Sequence, residues 1–423
     1  MPRVLVAGGG LAGLASAVAL GQSGYDVDVL ESRPFLGGRA TSYPIEGELV
    51  DNCQHVLLRC CTNLLDFYQR LGVDAWIEFH REFFFLEPGG RVSRLDRSAG
   101  SFLKMPCLGW RDKLAVGYGL MAITQERTRR DDLDRITMLD WLREKQQPAR
   151  AIERFWRQIL VSAVNEDLDR MAASHGFQVF WRGFLASAEG YEMGVPGVPL
   201  GELYGVERWS RVPGVRLHLR TTVERILIEG SRARGLRAGG RDWEADHTIC
   251  ALPFERVPAI GPELALRFDD WEHSPITGIH LWFDRPVTDL PHGTLLDRTI
   301  QWFFNKGGGS YLQLVVSASR ALLALPRAEV IALGVRELTE FLPEVAKAQL
   351  ERAHVVKEAR ATFSARPGLG AERPGARTTI DGLYLAGDWT ATGWPATMES
   401  AVRSGYMAAE AISGLRFLRP DLA

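Results

Sequence analysis

The chain has 423 residues, enough for about two domains, and its 46% hydrophobic and 24% charged composition is that of a globular enzyme. Fifty Lys and Arg against 52 Asp and Glu leave a formal charge of −2, so no basic face for nucleic acid is offered. The five cysteines, Cys53, Cys60, Cys61, Cys107 and Cys250, are odd in number and lack CxxC spacing, which argues against a disulfide framework or a zinc site and makes a reducing cytoplasm the expected compartment.

Residues 3–39, RVLVAGGGLAGLASAVALGQSGYDVDVLESRPFLGGR, read as one nucleotide-binding unit. Arg3 to Ala7 suits a buried parallel strand, and Leu11 to Gln22 has the Ala/Leu composition of a helix. Gly8, Gly10 and Gly13 between them make GxGxxG: a tight turn, a close approach for a pyrophosphate, and close packing of helix on strand. The helix N-terminus at Leu11 and Ala12 then faces the anion. A second strand, Tyr25 to Leu30, ends in Glu31 and Ser32, where a carboxylate accepts hydrogen bonds from an adenosine ribose. A secretory signal is not expected, because the apolar stretch runs without a break into this strand and acid.

Gly37, Gly38 and Arg39 form a second glycine turn that returns Arg39 towards the pyrophosphate. From Gly8 through Glu31 to Arg39 the pattern resembles the FAD-dependent amine oxidase and phytoene desaturase superfamily. The resemblance implies FAD as cofactor, with the glutamate on ribose and the arginine near the phosphates. It also implies an α/β fold: a Rossmann-like FAD-binding domain and a discontinuous α+β substrate domain.

Asp51, Gln54 and His55 precede a helix expected over Asn63 to Leu71. In the superfamily this segment passes the flavin ring, which makes His55 and Asp51 candidate catalytic groups; otherwise Asp51 caps a turn and His55 is a satisfied half-buried residue. Residues 76–200 read as a largely helical domain, with apolar clusters at Phe83–Leu86 and Phe102–Trp110. Helices are expected over Asp112–Gln125, Met138–Gln146, Ala149–Leu160 and Phe177–Phe184. Short strands return between 217 and 250, with a hairpin turn at Gly239 and Gly240. By the resemblance, the backbone of Val223 reads adenine.

Residues 277–283, 300–305 and 310–317 are strand-like and suit one wall of the substrate domain. Gly307, Gly308 and Gly309 join two of these strands without a following helix, so they read as a hairpin and no NADPH-binding unit is visible. An amphipathic helix, Glu329–Phe341, and a strand, Val355–Ala361, follow. GLYLAGDW at 382–389 is a strand whose end delivers Gly387 and Asp388 to a ribityl or phosphate group. Pro395, Thr397 and Met398 open a C-terminal helix with one small apolar face, and its free N–H groups would stabilise negative charge at the flavin N1/O2 edge. The expected FAD-binding segments are 1–75, 200–260 and 375–423, and the substrate segments 76–199 and 261–374.

Over nearly the whole chain the sequence is similar to the bacterial hydroxysqualene dehydroxylases of hopanoid synthesis. DNCQHVLLRCCTNLLDF at 51–67, FWRQILVSAVNE at 155–166, VPGVPLGELY at 195–204 and AGDWTATGWPATMESAVRSGY at 386–406 are among the segments that carry it. Cys53, Arg59 and Ser400 depart from it, standing where glycine is usual; Arg59 is expected to narrow the flavin pocket or to pair with phosphate. The resemblance implies reductive removal of an allylic hydroxyl from hydroxysqualene, with reduced FAD as hydride donor and His55, Asp51 or a water protonating the leaving group. A carotenoid desaturase is the alternative within enzymes, and a non-catalytic flavoprotein scaffold in a terpenoid assembly the alternative outside them. Nothing identifies an amine anchor or the electron donor that recharges FAD.

No apolar run after the N-terminal unit approaches the roughly 20 residues of a membrane span, so membrane contact is expected to be peripheral. Phe102 to Trp110, with Lys104 and Arg111 to meet lipid head groups, is the expected tunnel mouth on the bilayer; packing in the domain core is its alternative.

Overall fold

The structure, a computed structural model, describes residues 1–422. Its nucleotide half is a five-stranded sheet in the order Val215–His218, Asp26–Leu30, Arg3–Ala7, His247–Cys250, Leu383–Leu385, every neighbour parallel. Val4 to Ala7 in the central strand are fully buried, as the apolar run requires of a strand covered on both faces. The helix Leu11–Gly21 is buried at every residue and packs on the C-terminal helix Met398–Ser413. A Cβ on Gly405 would stand 2.2 Å from the Ala12 carbonyl oxygen, so the two helices meet backbone to backbone only because glycine is there.

Chain from three separated stretches thus completes one sheet. A three-stranded antiparallel sheet, Val223–Glu229, Arg232–Ala238 and Arg241–Glu244, is inserted before its fourth strand and turns at Gly239 and Gly240.

The second half is a seven-stranded sheet ordered Leu350–Phe363, His273–Phe283, Tyr311–Ser317, Trp302–Gly307, His292–Leu295, Phe83–Glu87, Arg91–Leu95. The last two strands correct the expectation of a largely helical 76–200. Aromatic Phe83, Phe84 and Phe85, followed by left-handed Gly89 and Gly90, are hairpin chemistry, and the hairpin joins the sheet alongside His292–Leu295. Met193–Pro196 also lies between Leu57–Leu58 and Ile77–His80, so backbone hydrogen bonding crosses the expected boundary after 75.

The helices Trp110–Glu126, Met138–Glu144, Arg157–Val164 and Ala173–Phe180 pack around Trp141, Trp156, Phe155, Phe177 and Phe180. Edge-to-face contacts such as Trp141 on Phe177, at 4.9 Å between centroids, order this core. Both buried indoles find acceptors, Trp141 Nε1 on Glu126 at 2.9 Å and Trp156 Nε1 on Gln147 at 2.8 Å.

The cluster from Phe102 to Trp110 divides. Met105 and Leu108 are core residues, whereas Leu103 is 46% and Trp110 67% exposed. Among the described residues no helix is long and apolar enough to cross a membrane.

Candidate functional site

Three backbone turns build a cradle at the C-terminal end of the parallel sheet. Gly8 donates to Leu30 O at 2.9 Å, Gly37 to Gly9 O at 2.9 Å, and Gly10 bridges Gly37 in parallel register. A Cβ on Gly13 would stand 2.0 Å from Gly8 O, and one on left-handed Gly38 would stand 2.9 Å from the Gly10 Cα. The two glycine turns therefore face each other with no side chain between them, which is the shape a pyrophosphate needs above the helix N-terminus at Leu11 and Ala12.

Glu31 stands at the rim of this cradle, 8% exposed. Its Oε2 accepts the Gly9 N–H at 2.7 Å, and its Oε1 accepts the Arg33 N–H at 2.7 Å and the Ser32 hydroxyl at 3.1 Å. The carboxylate is thereby oriented before any ribose arrives, with about one lone pair left for a ribose hydroxyl. Thr221 N–H donates to the Glu31 carbonyl at 2.8 Å, which brings Val223, at the start of its strand, to the same end of the site. The arrangement fits the adenosine and diphosphate of FAD.

The other end is a clamp around the loop 387–397. Arg39 pairs with the Asp388 carboxylate and donates to Ala361 O at 3.1 Å. Asp388, expected on a ribityl or phosphate group, is 5% exposed and pairs with this arginine through Oδ1, which leaves Oδ2 without a protein partner among the described residues. Arg373 donates to the carbonyls of Trp394 at 2.7 Å and Asp388 at 2.8 Å. Burial draws its pKa down to about 10 while Asp388 opposes the shift, so it stays charged at neutral pH. Ser400, where glycine was expected, donates to Asp388 O at 3.2 Å and shares a 2.6 Å hydrogen bond with Thr392. Thr397 caps the C-terminal helix by accepting the Ser400 N–H at 3.2 Å, leaving the N–H groups of Met398 and Glu399 at its open end. Gly387 N–H is held by Ser404 Oγ at 2.7 Å.

A cavity of about 240 Å³ lies against that helix end. Trp394, Pro395, Thr397, Met398 and Glu399 form one wall, Cys53 to Leu64 another, and Phe83, Phe304, Met193 and Ile159 represent the sheet and helices of the second half. The wall is mainly apolar. Burial pushes the Cys53 thiol up to about 12, so this cysteine is a neutral apolar surface here.

Glu399 is the carboxyl on this wall among the described residues, and sequence reasoning did not select it. It is fully buried; Oε1 accepts from Asn63 Nδ2 at 2.8 Å and Oε2 from the Leu64 N–H at 2.8 Å, capping the helix Thr62–Leu71 from outside. Burial raises its pKa and these hydrogen bonds only partly reverse that. Its place at the second position of a helix was a weak signal, visible in PATMES; the partner helix was not.

The candidate proton donors fall elsewhere. Asp51 accepts from Ser42 Oγ at 2.8 Å and the Leu200 N–H at 2.9 Å, and lies 3.7 Å from Lys306 Nζ. It caps the short helix Leu200–Leu203 from outside and is not among the residues that line the cavity. His55 is half-buried with Nε2 3.0 Å from Asn52 Oδ1, and burial lowers its pKa, which favours the neutral ring. Its neighbours Cys53, Gln54 and Val56 reach the cavity wall, of which His55 itself is not a part. Arg59 pairs with Glu192 at 2.6 Å and stacks on Phe79, so it neither narrows the flavin site nor meets phosphate.

Residues 11–413 match the family described as Flavin containing amine oxidoreductase. The chain is 25% identical to the "Probable zeta-carotene desaturase" of Synechococcus elongatus, over 97% of this chain and 98% of that protein. It is 26% identical to the 15-cis-phytoene desaturase of the same organism, over 97% and 95%. An oxidoreductase from Methanosarcina mazei superimposes with a TM-score of 0.74 over 98% of this chain and 100% of that one, at 20% identity, a likeness of fold.

Proposed function

The chain belongs to the flavin containing amine oxidoreductase family and is an FAD-dependent oxidoreductase, and from that premise we propose that it acts on a long apolar isoprenoid, removing the allylic hydroxyl of hydroxysqualene to give squalene. The observation that carries this reading is the apolar cavity ending at Pro395 to Glu399, the open end of the helix that closes the FAD site. Reduced FAD, held between the glycine cradle and the N–H groups of Met398 and Glu399, would supply the hydride for the allylic carbon, the hydroxyl leaving with one proton as water. The protein's part is to hold the chain dry against Phe83, Phe304 and Met193, to present the helix N–H groups, and to keep water at the reacting end few. Glu399 is the carboxyl placed to move the proton from this wall.

Anaerobic photoreduction of the bound flavin followed by hydroxysqualene tests the reading. Flavin reoxidation and squalene formation should proceed together, one for one. The second reading, oxidative desaturation of a carotenoid precursor, is favoured by the names of the relatives at 25–26% identity. Conversion of phytoene by the oxidised enzyme, with none of hydroxysqualene by the reduced one, would establish it in place of the first.

We also propose that the substrate arrives from a bilayer. Trp110, Leu114, Tyr118 and Met121 recur every three or four residues along Trp110–Glu126 and are 67%, 73%, 54% and 57% exposed, with Leu103 beside them. These are one apolar stripe on a helix whose other side, at Val116, Gly119, Ala122 and Ile123, packs on the core. Exposed Lys104 and Arg111 flank it, which suits anionic lipid head groups. An isoprenoid whose every methylene is worth about 0.8 kcal/mol against water needs such a supply route.

A further inference from the structure

The cavity wall is interrupted by three amides from three different elements. Gln54 comes from the loop after Asp51, Gln158 from Arg157–Val164 and Gln178 from Ala173–Phe180. Each carries buried polar atoms that no described residue satisfies: Nε2 and Oε1 of Gln54, Oε1 of Gln158 and Nε2 of Gln178. Gln158 is only 9% exposed, and its Nε2 donates to the Glu153 carbonyl at 3.2 Å. A carbonyl cannot donate to a carbonyl, so this bond settles the orientation of the amide and leaves Oε1 as its free acceptor.

Several other polar side chains on the wall are already engaged. Ser162 accepts from Trp302 Nε1 at 2.8 Å and donates to Gln158 O at 2.8 Å. Arg182 pairs with Asp421, and Glu399 holds Asn63 and Leu64. Among the cavity-lining residues, unmet hydrogen-bonding capacity is therefore concentrated in the glutamines, acceptors on Gln54 and Gln158 and donors on Gln54 and Gln178, with Trp394 Nε1 a further donor. A buried amide left unpaired destabilises the fold, and a wall meant only for hydrocarbon is better built of leucine.

We propose that Gln54, Gln158 and Gln178 read an oxygen function on an otherwise apolar isoprenoid, Gln158 Oε1 accepting the substrate O–H while Gln54 or Gln178 donates to its oxygen. The proposal rests on the reading that this cavity takes the isoprenoid, and it narrows the substrate class to alcohols. A hydrocarbon chain of the same skeleton leaves the amides unpaired and is discriminated against for that reason. The glutamines touch substrate as specificity-determining residues; proton transfer is not assigned to them.

The test uses the FAD-loaded protein in detergent, titrated with geranylgeraniol and with the hydrocarbon of the same carbon skeleton, read by quenching of tryptophan fluorescence, since Trp302 and Trp394 line the cavity. The alcohol should bind at least about tenfold more tightly. Gln158→Leu should cut that ratio to about twofold or less while hydrocarbon binding holds or improves. Equal binding of the two ligands by the wild type, or an undiminished preference in Gln158→Leu, would overturn the proposal. FAD content and Tm accompany each variant, and if Gln158→Leu loses its flavin, Gln54→Leu and Gln178→Leu decide on the same ratio. Hydroxysqualene left unturned by a protein that keeps the alcohol preference sinks the dehydroxylation reading alone; turnover without any preference sinks the glutamine proposal alone.

Discussion

Arg39 and Asp388, 349 residues apart in sequence, form an ion pair that ties the second glycine turn of the N-terminal unit to the loop before the C-terminal helix. Both ends of the dinucleotide site are thereby held in register by one contact. Asp388 is 7% exposed in its side chain and Arg39 35%, so the pair is buried on one side and screened on the other.

Asp388→Ala strands the Arg39 guanidinium and removes the anchor of the loop. We expect a loss of about 1–3 kcal/mol, below the range for fully buried pairs because Arg39 reaches solvent. A thermal melt of the holoprotein reads the stability, and FAD retained after gel filtration reads the site. Arg39→Ala combined with Asp388→Ala should cost clearly less than the two single changes added together; simple additivity would mean the contact carries no coupling.

Glu31→Gln exchanges one acceptor oxygen for a donor in a position where Gly9, Ser32 and Arg33 all donate. The variant should release FAD at least about tenfold more readily, the loss of one charge-assisted hydrogen bond. Equilibrium dialysis against free FAD checks it, and unchanged affinity would take the carboxylate out of the ribose site.

Gly405→Ala places a methyl 2.2 Å from the Ala12 carbonyl oxygen. Neither backbone moves without disturbing the cradle, so a destabilisation of about 1–3 kcal/mol is expected, with weakened FAD retention as a secondary effect. A Tm within a degree of wild type would show that the helices separate freely.

Asp28 sits under the edge of the parallel sheet, 1% exposed, with Arg3, Arg216 and His218 around it. Burial alone would raise its pKa; the hydrogen bonds from Arg216, His218 and Arg3 outweigh that and hold it at about 2. A depressed folded pKa contributes stability above the unfolded value of 3.8 that is lost as pH falls through about 2. Urea midpoints measured between pH 5 and pH 2 should fall less steeply in Asp28→Asn than in wild type, since that variant has no such proton to take up. Parallel slopes would contradict the assignment.

The exposed stripe gives a membrane test with an internal control. Trp110, Leu114, Tyr118 and Met121, all changed to Ser, should abolish co-sedimentation with vesicles containing phosphatidylglycerol while FAD content and Tm stay at wild-type values, because these side chains carry little of the core. Sedimentation that persists, or a protein that unfolds, would count against bilayer docking.

Features that depend on neighbours along the chain are legible in the amino-acid sequence by itself. The cradle from Gly8 to Arg39 is contiguous, its chemistry belongs to the backbone, and glycine spacing alone encodes it. The helix Met398–Ser413 is equally plain, since its small face is a periodic pattern. What only the tertiary structure decided is where charged side chains find their partners. Asp51, Arg59 and Asp388 all lie in segments that point to the flavin, yet each also pairs with a residue distant in sequence: Leu200, Glu192 and Arg39. Glu399 on the cavity wall, and the amides of Gln54, Gln158 and Gln178, escape sequence reasoning for the same reason. A buried polar group acquires its role from whatever the fold sets within hydrogen-bond reach, and one-dimensional spacing carries no record of that. The stripe from Trp110 to Met121 shows the reverse limit, because periodicity announces an apolar helix face but not which face the core leaves uncovered.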